Sequence, residues 1–127
     1  MLTVAPSPSE LPAVRRRVRL FLSSWAAPRT SVEDVVLCVH EACKNAMRFS
    51  GTDRAIDVAI SVQDDEVRLV VRDHGVGFTP HWSKMAPPAD PLATQGRGMF
   101  LITTLMDHVT VVNDHGAIVK MRRRLRR

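Results

Sequence analysis

The sequence predicts an α+β fold: a two-layer sandwich with helices on one face of a mixed, mainly antiparallel sheet. Three observations carry this. Apolar residues recur every three or four positions as far as Phe49, then every second position from Ile56. Turn-forming residues divide the chain into the order α-α-β-β-loop-α-β-β. The length of 127 residues suits one core, so 1–127 reads as a single domain.

The elements follow in order. Leu2–Val4 is a short apolar piece before a Pro/Ser-rich stretch, an edge strand and a loop. Leu11, Val14, Val18, Phe21, Leu22 and Trp25 share a helical period, which predicts a helix from Glu10 to about Trp25. Arg15, Arg16, Arg17 and Arg19 fall at other angles and form its solvated side. Ala26-Ala27-Pro28 ends it. Thr30 and Glu33 have capping-box spacing, which starts the next helix at Ser31 and runs it to Phe49. Ser50-Gly51-Thr52 stops it.

Ile56, Val58, Ile60 and Val62 then alternate with polar or small residues, and Val67, Leu69 and Val71 do the same after the turn Gln63–Glu66. The pair reads as a hairpin. Thr79–Gln95 is proline-rich and aperiodic, the length and composition of a lid or binding loop. Met99, Phe100, Ile102, Leu105 and Met106 give a third helix. Val109–Asn113 and Ala117–Leu125 give a second pair of strands.

Composition bounds the function. Apolar content of 45% and charged content of 24% are ordinary for a globular protein. No apolar run approaches the ~18 residues of a membrane span. The first ten residues lack the basic and apolar regions of a secretory signal. Cys38 and Cys43 fall on different helix faces, which predicts free thiols and a cytoplasmic, reducing setting. The five histidines are scattered without zinc-ligand spacing. The net charge of +5 is concentrated in a basic tail at 122–127, where five of six residues are arginine. That tail reads as a frayed, solvated end, with nucleic-acid binding as a weaker alternative.

Chemistry concentrates in three places. Glu41 and Asn45 are i,i+4 on the second helix and share a face. Arg48 lies within about 60° of them, and Val32, Val36, Val39, Cys43 and Ala46 make the opposite, apolar stripe. The second strand of the first hairpin runs into Asp73-His74-Gly75-Val76-Gly77-Phe78, where two glycines permit close backbone approach. Gly96-Arg97-Gly98 opens the third helix, where free N–H groups and the helix dipole favour phosphate. Neither glycine cluster is a Walker A loop or a Rossmann fingerprint.

This ordered set resembles the GHKL ATPase superfamily, of gyrase, Hsp90, histidine kinase and MutL type, over roughly residues 10–122. HEACKNAMRFSG, DHGVGFTP and GRGMFLITTLMDHV are similar to the bacterial anti-sigma-factor serine/threonine kinases. The resemblance implies Mg²⁺ on Asn45 and Glu41 as general base toward a serine or threonine hydroxyl. It implies Asp73 hydrogen-bonded to the adenine amine, with Gly75 and Gly77 letting the base pack on the backbone. Gly96 and Gly98 would free N–H groups for the phosphates, Arg48 and Arg97 would add positive charge, and Met99 would close the second glycine box.

ATP and Mg²⁺ are thus the implied cofactors. The implied partners are a sigma factor and a STAS-domain anti-anti-sigma protein, with a homodimer as the assembly and no membrane. Two positions depart from the kinase pattern. Phe49 stands where the kinases often have His. Gly116-Ala117 stands where Gly-Thr is common, which implies a lost hydroxyl contact near adenine and weaker ATP binding. The alternative reading is a non-catalytic module that binds ATP and acts only by sequestering a partner.

Overall fold

The computed structural model describes residues 2–49, 53–75 and 97–126. Strand β1 (Leu2–Val4) and a 3₁₀ turn (Pro8–Glu10) lead into helices α1 (Leu11–Ser23) and α2 (Arg29–Phe49). Strands β2 (Ile56–Gln63) and β3 (Glu66–Arg72), helix α3 (Arg97–Leu105), and strands β4 (His108–Asn113) and β5 (Ala117–Arg124) follow. The expected lid at 79–95 lies outside the described residues, as do Gly77 and Gly96.

The five strands form one sheet in the order β1-β2-β3-β5-β4, and all four pairings are antiparallel. Pairing partners share a face of the sheet, so the register builds rows across it. Leu2, Val58, Val71, Val119 and Val111 form one inward row, and Ile60, Leu69, Met121 and Val109 the next. The strands are apolar on alternate residues because only this face is covered.

Helix α2 packs against α1, α3 and the sheet. It therefore buries a wider arc than the narrow stripe expected, with Val35, Cys38 and Ala42 added to Val36, Val39, Cys43 and Ala46. Both cysteines are buried and free. Burial raises each thiol pKa to about 12, and the Asp34 carboxylate adds to the rise at Cys38.

The start of α2 differs from expectation for an identifiable reason. Helix α2 begins at Arg29, because the Pro28 carbonyl already accepts a helical bond from the Val32 amide at 3.0 Å. Thr30 thus lies inside the first turn. Its expected capping partner Glu33 is held instead by Arg19, at 3.1–3.3 Å through both carboxylate oxygens.

Residues 122–126 of the basic tail are not a frayed end. Arg122, Arg123 and Arg124 belong to β5, and the alternation continues to the buried Leu125. The inward Arg123 is buried because Asp34 Oδ2 meets its guanidinium at 2.9 Å and the Ser31 carbonyl accepts from it at 3.0 Å. Ser31 Oγ donates to the Leu125 carbonyl. Arg126 holds the Asp65 carboxylate and donates to the carbonyls of Trp25 and Ala26. The run therefore ties β5 to the start of α2 and the end of α1.

Candidate functional site

Helix α2 supplies the first part of the site. Glu41 and Asn45 stand one turn apart, as their spacing requires, and both face the start of α3. A Cβ added at Gly98 would lie 2.7 Å from Glu41 Oε2, 3.3 Å from Asn45 Nδ2 and 3.5 Å from Asn45 Oδ1. Only a residue without a side chain lets α3 approach this closely. Glu41 and Asn45 thus lie against the second glycine box at Gly98.

Glu41 is only 8% exposed, yet it carries a carboxylate. Lys44 Nζ lies 3.4 Å from Oε2 and offsets that charge. Lys44 was not among the sequence candidates. Its signal was the i,i+3 Glu–Lys spacing, which is common on any solvated helix.

The end of β3 supplies the second part. Asp73 is 2% exposed. Its Oδ1 accepts from the Gly75 amide at 3.0 Å and the Ala117 amide at 3.1 Å. Its own amide donates to the Ala117 carbonyl at 3.0 Å. Position 117 therefore holds Asp73 through its backbone, a role that Ala performs as well as Thr. Oδ2 has no partner among the described residues and remains an acceptor.

Gly116 completes this clamp. Its φ is +128°, and a Cβ there would sit 2.3 Å from the Asp73 carbonyl oxygen. His74, the second residue of the box, is tied to the sheet by Nε2 lying 2.9 Å from Asp57 Oδ2. Neither the Ala117 backbone nor His74 was anticipated. Main-chain contacts across the fold leave no residue-type signature.

The remaining candidates are placed as follows. Arg48 is exposed in the last turn of α2. Arg97 is the first residue of α3. Gly75 lies just after β3, in the Asp73 turn. Met99 is buried in the hydrophobic core and anchors α3 from behind. Gly77 and Gly96 lie outside the described residues. No cluster of three or more His, Cys, Asp or Glu among the described residues could hold a metal on its own.

The residues present fit Mg²⁺ and an adenine nucleotide. Asn45 and Glu41 offer neighbouring oxygens, the donor type that a hard cation takes. The Gly98 approach leaves their side uncluttered by a Cβ, and Asp73 Oδ2 is an acceptor for an exocyclic amine. The profile of the histidine kinase-like ATPase domain matches residues 4–123. The chain belongs to the histidine kinase-like ATPase domain family.

Its relatives agree on the fold. The Bacillus cereus serine-protein kinase RsbW is 30% identical over 105 residues, covering 76% of this chain and 66% of that protein. The chain thus spans just under two thirds of the length of the curated relatives it matches. The structure of the RsbU and RsbW domains of Rv1364c from Mycobacterium tuberculosis superposes on 98% of this chain and 31% of that one. Its TM-score is 0.74 at 22% identity. The SiaB-SiaC complex from Pseudomonas aeruginosa matches 97% of this chain and 89% of that one, with TM-score 0.63 and 15% identity. Among the described residues of this histidine kinase-like domain, no helix is long and apolar enough to cross a membrane.

Proposed function

We propose that this domain binds Mg-ATP and transfers the γ-phosphoryl group to a serine or threonine of a STAS-domain anti-anti-sigma protein, and that it sequesters a sigma factor. The observation that carries the reading is the seating of Gly98 directly against Glu41 and Asn45. It supports a phosphate-binding helix start brought onto a carboxylate and an amide at one place. The name of the Bacillus cereus relative, a serine-protein kinase, supports the reaction class.

Each residue has a defined task in this reading. Asp73 Oδ2 accepts from the adenine amine while Oδ1 stays fixed by Gly75 and Ala117, so the base is read by a preorganised acceptor. Asn45 would hold Mg²⁺, which when bound offsets the charge of the phosphates. The Gly98 amide faces the phosphates from the first turn of α3. Arg48 and Arg97 add positive charge, and Met99 fixes α3 against the core. Glu41 takes the proton of the acceptor hydroxyl as its oxygen attacks the γ-phosphorus and the bond to the departing ADP breaks. The acting form would be a homodimer, which sedimentation would reveal.

The test is phosphotransfer to a STAS-domain protein with Glu41→Gln alongside wild type. The amide substitution should lower the transfer rate by about 10²-fold or more and leave Mg-ATP binding intact. Wild-type rates in Glu41→Gln would remove Glu41 from the chemistry. One observation favours a second reading, in which ATP is only a structural ligand: Lys44 already holds the Glu41 carboxylate at 3.4 Å. Nucleotide-dependent partner binding without any turnover would establish that reading instead.

A further inference from the structure

The face of the sheet turned away from the helices carries a dense charge pattern. Its rows, read from the register, are Asp57–Arg72–Ile118–Val112, Ala59–Val70–Lys120–Thr110 and Ser61–Arg68–Arg122–His108. Glu66 and Arg124 pair at its end. Five cations therefore share the face with two strand acids. Glu66 answers two of the cations at once, at 3.1 Å from Arg68 and 3.8 Å from Arg122. The Lys120 and Arg124 side chains have no acidic partner among the described residues.

This arrangement costs stability. Arg68 and Arg122 stand directly opposite each other on neighbouring central strands, where like charges are unfavourable. Val70, Ile118 and the 43%-exposed Val112 add apolar area between the cations. A depression of about 380 Å³ lies at the centre, walled by Arg68, His108, Thr110, Lys120 and Arg122.

We propose that this open sheet face is a docking surface for a partner protein presenting a row of carboxylates over a small apolar patch. Charge complementarity decides the occupant. A second copy of this chain would bring the same excess of cations, five against two strand acids, to the other side of the interface. Single-stranded nucleic acid binds on stacking aromatics, and the rows of this face hold no Phe, Tyr or Trp. Acidic side chains would pair with Lys120, Arg122 and Arg124, while apolar groups cover Val70, Val112 and Ile118. The proposal does not depend on phosphotransfer, since the face is built from the side of the strands opposite Glu41, Asn45 and Asp73.

The test uses a helical peptide with glutamate at i,i+4 as probe, titrated into the isotopically labelled chain at low salt. Amide shifts should map to the outward residues of β3, β4 and β5. The double variant Lys120→Glu/Arg122→Glu should weaken binding about tenfold, and Arg16→Glu/Arg17→Glu on α1 should change it less than twofold. Lys120→Glu alone repeats the measurement should the double variant melt below wild type. Mg-ATP affinity should be unchanged in all of them, which separates this test from that of the kinase reading. Shifts centred on α1, or equal losses in both double variants, would overturn the proposal. Tighter binding of duplex DNA of matched charge would make the face a nucleic-acid surface. A wild-type dimer that Lys120→Glu/Arg122→Glu dissociates would make it a self-interface.

Discussion

Replacing Gly98 by alanine should stabilise the domain and disable it at the same time. The glycine lies in α3 with ordinary helical backbone, so alanine meets no conformational penalty and helix propensity favours it by up to about 1 kcal/mol. That corresponds to a rise in Tm of roughly 3–6 °C for a domain of this size. The new Cβ, however, would sit 2.7 Å from Glu41 Oε2. Ordinary contact needs about 3.4 Å, so the carboxylate must retreat by roughly 0.7 Å. Asn45, 3.3 Å away, must give by a tenth or two. Misplacement on this scale costs about 10²-fold in rate, and it should weaken Mg-ATP binding by a smaller factor. Single-turnover phosphotransfer, calorimetric Mg-ATP titration and a thermal melt on one sample would read all three quantities. A variant that melts higher and transfers at the wild-type rate would refute the role given to Glu41. One that loses both stability and activity would show Gly98 to be a packing position only.

Other substitutions probe other parts of the fold. Gly116→Ala has no flexible neighbour to displace, since its Cβ would meet the Asp73 backbone at a φ of +128°. It should cost about 3 kcal/mol or more, and a urea midpoint equal to wild type would contradict that. His40 is held below the usual histidine range, by burial first, with the Arg15 and Lys44 charges adding to the effect and Glu41 opposing it. Arg15 Nη1 lies 2.9 Å from Nδ1 and can only donate, so the folded state favours the neutral ring. Because the unfolded chain then binds the proton more readily, stability should fall as pH drops through about 6.5. His40→Gln should show a shallower fall between pH 7.5 and 5.5 in thermal melts; an equal slope would assign the effect elsewhere. Cys38 and Cys43, with thiols raised to about 12 by burial, should resist iodoacetamide at pH 8 in the native state and react in urea. Native labelling at the rate of a free thiol would contradict their burial.

Much of this architecture was legible in residue order. The change of period after Phe49 located the first hairpin, and the i,i+4 spacing of Glu41 and Asn45 put them on one face. What escaped was decided at a distance. The Thr30–Glu33 spacing is a local capping signal, but Glu33 is taken by Arg19 of α1 and the helix starts earlier. The arginine run looked solvated because composition outweighed alternation, although Arg123 and Leu125 keep the inward phase of β5. The two hairpins are joined through β3 and β5, a pairing that no local pattern announces. The same holds for the clamp on Asp73, which is made by the main chain of Ala117 and by the empty space at Gly116.

That clamp has a consequence for synthesis. Asp73 and Ala117 are 44 residues apart, and β5 leaves the ribosome after the other four strands of the sheet although it lies between β3 and β4. A nascent chain that has already exposed Glu41, Asn45 and Asp73 still lacks the amide that fixes the Asp73 carboxylate. Half-made chains should therefore capture no ATP. Nucleotide added during translation would act only on finished domains, as a late ligand that pulls completed folding forward.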